Sequence, residues 1–211
     1  MHTDAVIYII GAGGHAKVVI DALLAGGVDI ARLRVADNDL ARRGSMLLGV
    51  AVQAPAVQPV MAGALFHVAI GDCAVRARIH AELCALGAVP LTVFHPASVV
   101  SPHAMVGDAV FVAARAVIGP SARLANGVIV NHGAVVDHDC QVGAFSHLAP
   151  NATLGGAVTI GEQVLVGAGA NILPGKRVGD NAIIGAGAVV LGHVPPCLTW
   201  AGVPAELITK D

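Results

Sequence analysis

A six-residue hydrophobic period runs through the second half of the chain. From Phe94 to Pro195 the sequence divides into seventeen consecutive hexads without an insertion, and every first position is a large apolar residue. The fifth position is Ala, Ser, Val or Cys in every hexad except at Lys176, and glycine occupies eight of the second positions. This period fits neither an α-helix nor a β-hairpin and is typical of a parallel β-helix built from hexapeptide repeats.

Each hexad predicts one short strand and one corner, so three hexads complete a triangular coil and seventeen give about 5.7 coils. First-position residues should stack inside the prism beside the small fifth-position residues, with parallel strands paired between successive coils. Sixth positions should face outward, and nine of them are apolar: Val99, Met105, Phe111, Val117, Ile129, Val135, Leu165, Ile183 and Val189. Contiguous apolar stripes of this kind predict an interface between identical subunits.

The first half of the chain alternates apolar strands with helices. The predicted elements are a strand over Ala5–Ile10, a helix that ends near Ala25, a strand that ends within Val35–Asn38, a strand over Phe66–Ile70 and a helix over Ala74–Leu86. This alternation predicts a small parallel sheet covered by helices. The change of pattern after residue 93 predicts two domains, 1–93 and 94–211.

A glycine-rich turn follows the first predicted strand. Glycines at such a turn let backbone amides approach a phosphate at the start of a helix, and an acid after the second strand lies where it could reach a ribose or base. The candidate nucleotide-binding residues are Gly11, Gly13, Gly14, His15, Asp37 and Asn38. A tight turn without a nucleotide is the alternative. A domain of 93 residues is half of a full dinucleotide fold, which favours a mononucleotide or a nucleotide sugar over NAD.

Charge and cysteine content exclude several classes of partner. The chain has 12 basic and 14 acidic residues and a net charge of −2, and neither half is basic enough to predict nucleic-acid binding. The four cysteines lack the spacing of a metal site and are expected to be reduced thiols. The acidic start Met1–Asp4 and the short apolar run after it predict neither a signal peptide nor a membrane span. We therefore expect a cytoplasmic protein.

Among six histidines in the repeat region, only His138 lies between two carboxylates, Asp137 and Asp139. A carboxylate on one ring nitrogen fixes the tautomer and increases the basicity of the other nitrogen. Histidine is the natural general base near neutral pH. The trio therefore predicts a catalytic base, with a solvated group of surface charges as the alternative.

The order of these segments resembles one family across almost the whole chain. GAGGHAKVVID at the start, IGD followed by Arg76, and VVDHDC with FSHLAP in the repeats are similar to hexapeptide-repeat acetyltransferases. The subfamily comprises bacterial N-acetyltransferases of the 4-amino group of nucleotide-linked deoxysugars, together with sialic-acid O-acetyltransferases. Cys73 stands where these proteins commonly have Asn, and Glu206 follows the closing Gly202–Ala205 segment where they often have Lys or Arg.

The resemblance implies a fold, a co-substrate and an assembly. It implies a small Rossmann-like α/β domain that binds a nucleotide sugar, over 1–93, followed by a left-handed parallel β-helix with a C-terminal tail, over 94–211. It further implies acetyl-CoA as co-substrate and a homotrimer with the coenzyme between neighbouring prisms. Some hexapeptide β-helices are zinc enzymes, but His132, His138 and His147 do not have the spacing of that metal site, and we expect no metal.

The resemblance also assigns individual residues. It implies His138 as the catalytic base, Asp139 as its orienting partner, and His147 close to the thioester of the coenzyme. Further implied coenzyme contacts are the backbone amides of Gly156, Ala168 and Ala186. Further implied substrate contacts are Gly71, Arg76 and Asn131, although Asn131 fits equally well as a corner residue that tolerates positive φ.

These observations predict acetyl-CoA-dependent N-acetylation of the 4-amino group of a nucleotide-activated 4-amino-4,6-dideoxy sugar, in bacterial glycan biosynthesis. One alternative is O-acetylation of a sialic-acid-like or other sugar. A second alternative, from another class, is a non-catalytic nucleotide-binding module that uses the β-helix as a scaffold.

Overall fold

The computed structural model describes residues 5–209, so the predictions made on Met1–Asp4 lie outside the described residues. The chain divides into two compact units, with the boundary between Pro96 and Ala97. No helix within the described residues is long and apolar enough to cross a membrane.

The first unit is a six-stranded sheet with two α-helices. In chain order its strands are β1 (Ile7–Ile10), β2 (Leu33–Ala36), β3 (Met46–Leu47), β4 (Val50–Gln53), β5 (Leu65–Val68) and β6 (Val89–Pro90). The helices are α1 (Gly14–Ala25) and α2 (Cys73–Ala85), with short 3₁₀ turns at Ile30–Arg32, Leu40–Arg42 and Pro59–Met61. The spatial order of the strands is β3-β4-β2-β1-β5-β6, and only the pair β3–β4 is antiparallel.

The predicted strand–helix alternation is confirmed in this unit. All four residues of the central strand β1 are buried, as expected for a parallel strand covered on both faces. Helix α2 begins at Cys73 and is capped by Asp72, whose carboxylate accepts a hydrogen bond from the Val75 N–H at 2.8 Å. The prediction missed β3 and β6, which are two-residue strands at the edges of the sheet, and it also missed the four-residue strand β4.

The second unit is a three-sided parallel β-helix, and nearly all of its strands are two residues long. One side contains Phe111–Val112, Ile129–Val130, His147–Leu148, Leu165–Val166, Ile183–Ile184, Thr199–Ala201 and the antiparallel Glu206–Leu207. The second side contains Val99–Val100, Val117–Ile118, Val135–Val136, Thr153–Leu154, Asn171–Ile172 and Val189–Val190. The third side contains Met105–Val106, Arg123–Leu124, Gln141–Val142, Thr159–Ile160 and Arg177–Val178. A further strand, Val93–Phe94, belongs to the first unit.

The core of the β-helix consists of first- and fifth-position residues, as predicted. From Val110 to Val194 these positions are buried except at the half-buried Lys176, and apart from Lys176 and the polar Ser146 they form one hydrophobic cluster. Each strand joins the sixth position of one hexad to the first position of the next, and strands pair with a register of eighteen residues, for example Val136 with Leu154. At the start of the prism Val100 and Val106 are only half-buried, because no complete coil precedes them.

Two of the nine apolar sixth-position residues are covered by other parts of the chain. Phe111 and Ile129 are buried, with exposed fractions of 0% and 1%. Val99, Met105 and Ile183 are exposed, and the remaining four are half-buried. The apolar stripe available for an interface is therefore smaller than the sequence predicts.

Candidate active site

His138 and Asp139 form a hydrogen-bonded pair at a corner of the β-helix. His138 Nδ1 lies 2.8 Å from Asp139 Oδ2, and the backbone N–H of His138 donates to Asp137 Oδ1 at 2.7 Å. Asp139 occupies the fourth position of its hexad, where this fold requires a left-handed backbone, and its φ is +60°. Asp tolerates this conformation better than most residues, so the corner itself turns the carboxylate back toward the ring.

The local charges make His138 a stronger base than an isolated imidazole. The hydrogen bond that the ring donates to Asp139 raises the pKa of His138, and the nearby charge of Asp137 raises it further. The side chains of His138 and Asp139 are 56% and 60% exposed, so a substrate can reach the ring. With Nδ1–H donating to Asp139, Nε2 of the neutral ring has a lone pair that can accept a proton.

Asn131 and His147 lie side by side near a different corner of the β-helix, although the sequence analysis assigned them to different ligands. Asn131 Nδ2 is 3.2 Å from His147 Nε2, because Ile129 and His147 are paired on adjacent strands. Asn131 Oδ1 accepts a hydrogen bond from the His132 N–H at 2.9 Å, which directs the amide nitrogen toward His147. In this orientation the Asn131 amide nitrogen can donate to His147 Nε2.

The predicted coenzyme contacts fall on two corners of the prism. Gly156 is buried against the His138 ring, one coil further along the same corner. Ala168 and Ala186 are exposed and lie on successive coils of a different corner, where the Gly187 N–H donates to Ala168 O at 2.8 Å. Within one chain these residues therefore form two separate surfaces.

The first unit contains a cleft of about 410 Å³ at the carboxyl ends of β1, β2 and β5. Of the residues predicted to bind the nucleotide sugar, the cleft is lined by Gly11, Gly13, Gly14, His15, Asp37 and Gly71. The carboxyl edge of a parallel sheet is the usual ligand site of such folds. Asn38 does not line the cleft, and its Oδ1 accepts a hydrogen bond from the Ala56 N–H at 3.0 Å.

Asp37 holds the glycine-rich turn in place. Its Oδ2 accepts from the Ala12 N–H at 2.6 Å, and its Oδ1 accepts from the Asp39 N–H at 2.8 Å. Gly11 in the same turn has a φ of +104°, and a Cβ there would lie 2.9 Å from Ile70. The turn therefore requires glycine at this position for both backbone and steric reasons.

The sequence analysis missed Arg42, which lines the same cleft. Its Nη1 donates to Ala12 O at 2.8 Å, and its Nε lies 3.3 Å from Asp39 Oδ2. Half of its side chain is exposed, so the guanidinium also faces the cleft solvent. No spacing rule marks Arg42, because it follows a strand end by several residues in a segment without periodicity.

Arg76 lies beneath the cleft and does not line it. It is 2% exposed, and its Nη1 donates to the carbonyl oxygens of Ile70, Gly71 and Asp72. Burial lowers the pKa of Arg76, while interactions with Cys73 and Asp72 oppose that shift. This residue shapes the loop that carries Gly71.

Residues 5–209 contain no group of three His, Cys, Asp or Glu side chains placed to hold a metal ion. The four cysteines in this range are not joined by disulfides.

The first unit is a Rossmann-like parallel sheet with a glycine-rich turn, and the second is a hexapeptide β-helix that carries an exposed His–Asp pair. Together these features define a class of bacterial transferases. The PglD N-terminal domain model matches residues 6–83, and the bacterial transferase hexapeptide model (six repeats) matches residues 157–192.

Three relatives show the family. GDP-perosamine N-acetyltransferase of Escherichia coli O157:H7 is 35% identical over 152 residues, which are 69% of this chain and 68% of that protein. The crystal structure of PerB from Caulobacter crescentus in complex with CoA and GDP-perosamine is 36% identical, with a TM-score of 0.89 over 97% of each chain. The acetyltransferase domain of PglB from Neisseria gonorrhoeae FA1090, in complex with acetyl coenzyme A, is 35% identical, with a TM-score of 0.89 over 97% of this chain and 100% of that one.

The chain belongs to the family of nucleotide-amino-sugar N-acetyltransferases that join a PglD-type N-terminal domain to hexapeptide repeats. The predicted family is therefore confirmed, as is the predicted fold of a Rossmann-like sheet followed by a left-handed β-helix. The enzyme class of these homologues, acetyl-CoA-dependent N-acetyltransferase, is the one predicted for this chain.

Proposed function

We propose that the protein transfers the acetyl group of acetyl-CoA to the 4-amino group of a nucleotide-activated 4-amino-4,6-dideoxy sugar, in bacterial glycan biosynthesis. The observation that carries this proposal is the His138–Asp139 pair, 2.8 Å apart and exposed, within a chain 36% identical over nearly its whole length to a structure with CoA and GDP-perosamine bound. GDP-perosamine is therefore the first acceptor to test.

The reaction proceeds by direct attack of the amine on the thioester. Nε2 of His138 accepts a proton as the sugar nitrogen forms a bond to the acetyl carbonyl carbon, while Asp139 holds the ring and stabilises the imidazolium. The tetrahedral intermediate then collapses with cleavage of the carbon–sulfur bond. The proton on His138 passes to the departing CoA sulfur, so the step forms the amide and the CoA thiol and returns His138 to its neutral state.

Other residues bind the reactants on either side of His138. His147, Gly156, Ala168 and Ala186 contact the coenzyme, and Asn131 acts together with His147 because the two side chains are within hydrogen-bonding distance.

We assign nucleotide-sugar binding to residues 1–93 and acetyl transfer to residues 94–211. In the first domain the backbone amides of Gly13 and Gly14 point to a diphosphate at the start of α1, and Arg42 supplies a positive charge in the same cleft. The rest of the cleft wall is formed by His15, Asp37 and Gly71. Arg76 and Asn38 do not line the cleft but hold neighbouring backbone in place through hydrogen bonds.

We propose a homotrimer in the cytoplasm. The exposed apolar residues Val99, Met105 and Ile183 support an interface. The separation of Gly156 from Ala168 and Ala186 supports a coenzyme groove completed by a neighbouring subunit. The absence of disulfides among the cysteines of residues 5–209 supports a reducing compartment.

The test is a panel of UDP-, GDP- and dTDP-linked 4-amino sugars with acetyl-CoA, followed by release of the CoA thiol. Hydroxyl acceptors, including sialic acids, form a second arm, and the His138→Ala variant is the control for both arms. We expect turnover with at least one amino sugar and a loss of about 10²–10⁴ in His138→Ala. Turnover of hydroxyl acceptors alone would indicate an O-acetyltransferase, and binding without turnover would indicate a scaffold.

A further inference from the structure

The corner that carries His138 is built from third-position residues that lie one above another. Strands on the adjoining side pair with a register of eighteen residues, Val136 with Leu154 and Leu154 with Ile172, so equivalent corner residues recur at the same interval. The stack at this corner is Pro102, Pro120, His138, Gly156, Pro174 and Gly192. His138 is the only member with a long side chain, and the next coil offers it a glycine.

The imidazole of His138 occupies the space that a side chain at residue 156 would fill. A Cβ built on Gly156 would lie 2.5 Å from both Cε1 and Nε2 of His138 and 3.2 Å from Cδ2. Carbon atoms cannot approach so closely without displacement, because the repulsive wall of the van der Waals potential begins well beyond that distance. Gly156 does not have a left-handed backbone, so backbone conformation is not the reason for glycine here.

The backbone on either side of Gly156 is fixed by four hydrogen bonds. The Gly155 N–H donates to Ile172 O, the Gly175 N–H donates to Gly156 O, and the Ala157 N–H donates to His138 O, each at 2.9 Å. In addition, the Cys140 thiol donates to Gly155 O at 3.2 Å. A methyl group at residue 156 would therefore displace the exposed ring of His138 and not the coil.

We infer that Gly156 is a positioning residue for His138: its missing side chain lets the ring lie against the next coil with Nδ1 on Asp139 and Nε2 at the reacting position. The expected effect on catalysis rests on the proposed function, whereas the expected effect on the position of the ring does not. A displaced ring would lose the 2.8 Å bond to Asp139 and would move Nε2 away from the amine. This steric role is separate from any contact between the Gly156 backbone and the coenzyme.

The test compares Gly156→Ala with Gly192→Ala. Gly192 is a third-position residue of the same stack, has no left-handed backbone, and has open space around its Cβ position, so alanine there should be neutral. The pKa of His138 is measured by NMR titration of ring-labelled protein without any ligand. It should fall toward the ordinary histidine value in Gly156→Ala, as in Asp139→Asn, and should stay raised in Gly192→Ala.

Turnover supplies the catalytic readout. In Gly156→Ala we expect kcat to fall by about 10²-fold, the cost of misplacing a reacting group by about 1 Å. An unchanged His138 pKa in Gly156→Ala, or a loss confined to the KM for acetyl-CoA, would overturn the inference. If the parent protein acetylates no acceptor, the proposed function fails, while the NMR comparison still decides the positioning role.

A double-mutant cycle keeps the inference testable if Gly156→Ala folds poorly. His138→Ala removes the ring, so alanine at residue 156 should be far less destabilising in that background than in the parent protein. The melting temperatures of the four proteins measure this coupling. Equal shifts in both backgrounds would show that the ring is not what excludes a side chain at residue 156.

Discussion

His138 is flanked by two carboxylates with different roles. Asp139 accepts from the ring, whereas Asp137 accepts from the backbone N–H of His138 and acts on the ring only through its charge. Both interactions raise the pKa of His138, and the bond to Asp139 contributes most. The effects of the two aspartates on the pKa of His138 can therefore be distinguished by substituting each in turn.

The pH dependence of kcat/KM should show this difference. His138 is a base only when neutral, so activity should rise with pH through a midpoint above the ordinary value of 6.5. Asp139→Asn should shift that midpoint to lower pH and lower the plateau, because the ring loses both a charge and its orientation. Asp137→Asn should shift the midpoint less and leave the plateau nearly unchanged. All proteins are measured with the same acceptor, so titration of the substrate amine affects each profile equally. Equal midpoint shifts in Asp139→Asn and Asp137→Asn would contradict the different roles assigned to the two aspartates.

The His–Asp pair was predictable because its members are adjacent in sequence. The contacts between Asn131 and His147 and between His138 and Gly156 were not, because sixteen to eighteen residues separate their members and only the coil register brings them together. Arg42 was missed for a similar reason, since its bonds to Ala12 and Asp39 depend on the path of a loop without periodicity.

The first and fifth positions of the hexads determine the architecture of the β-helix, because their side chains form its core. The pattern recurs in seventeen consecutive hexads, so the inward-facing positions can be identified from the sequence. The pattern gives no information on what covers the outer face, which is why the burial of Phe111 and Ile129 was not foreseen.

Substitutions at first and sixth positions should differ in their cost. Leu148 is fully buried, so Leu148→Ala should reduce the free energy of unfolding by about 2–5 kcal/mol through lost burial and a residual cavity. Ile183, a sixth-position residue that is 43% exposed, is the matched control, and Ile183→Ala should cost less. Urea unfolding measures both values, and equal losses would contradict the inward assignment of first positions. If Ile183 lies in a subunit interface, its loss should depend on protein concentration, which separates the two causes.

In the proposed function, the first unit binds the nucleotide sugar and the second unit carries out acetyl transfer. If the cleft in the first unit holds the diphosphate, Arg42→Ala should raise the KM for the nucleotide sugar, since a hydrogen bond from a charged group contributes about 1.5–3 kcal/mol. The KM for acetyl-CoA should not change. Arg43→Ala is the matched control, because Arg43 is exposed and does not line the cleft. Steady-state kinetics with each substrate varied in turn would refute the assignment if both variants behaved alike.

Assembly gives a further prediction. Light scattering should give a mass of about three times 21.1 kDa. If neighbouring subunits share each site, mixing His138→Ala chains with Ala186→Trp chains should restore part of the activity that each lacks, because some mixed sites contain an intact base and an intact coenzyme wall. A monomer with full activity, or mixtures no more active than their parts, would contradict the shared site.

The most direct measurement is product analysis after incubation with acetyl-CoA and GDP-perosamine. We predict a product heavier by one acetyl group, with an amide at C4 by NMR, one CoA thiol released for each product formed, and almost no product with His138→Ala. Acetylation on a sugar hydroxyl would contradict N-acetylation, and equal turnover by His138→Ala would contradict the assigned base. If no product forms from GDP-perosamine or from any UDP- or dTDP-linked 4-amino sugar under conditions where the protein is folded, the proposed reaction is wrong.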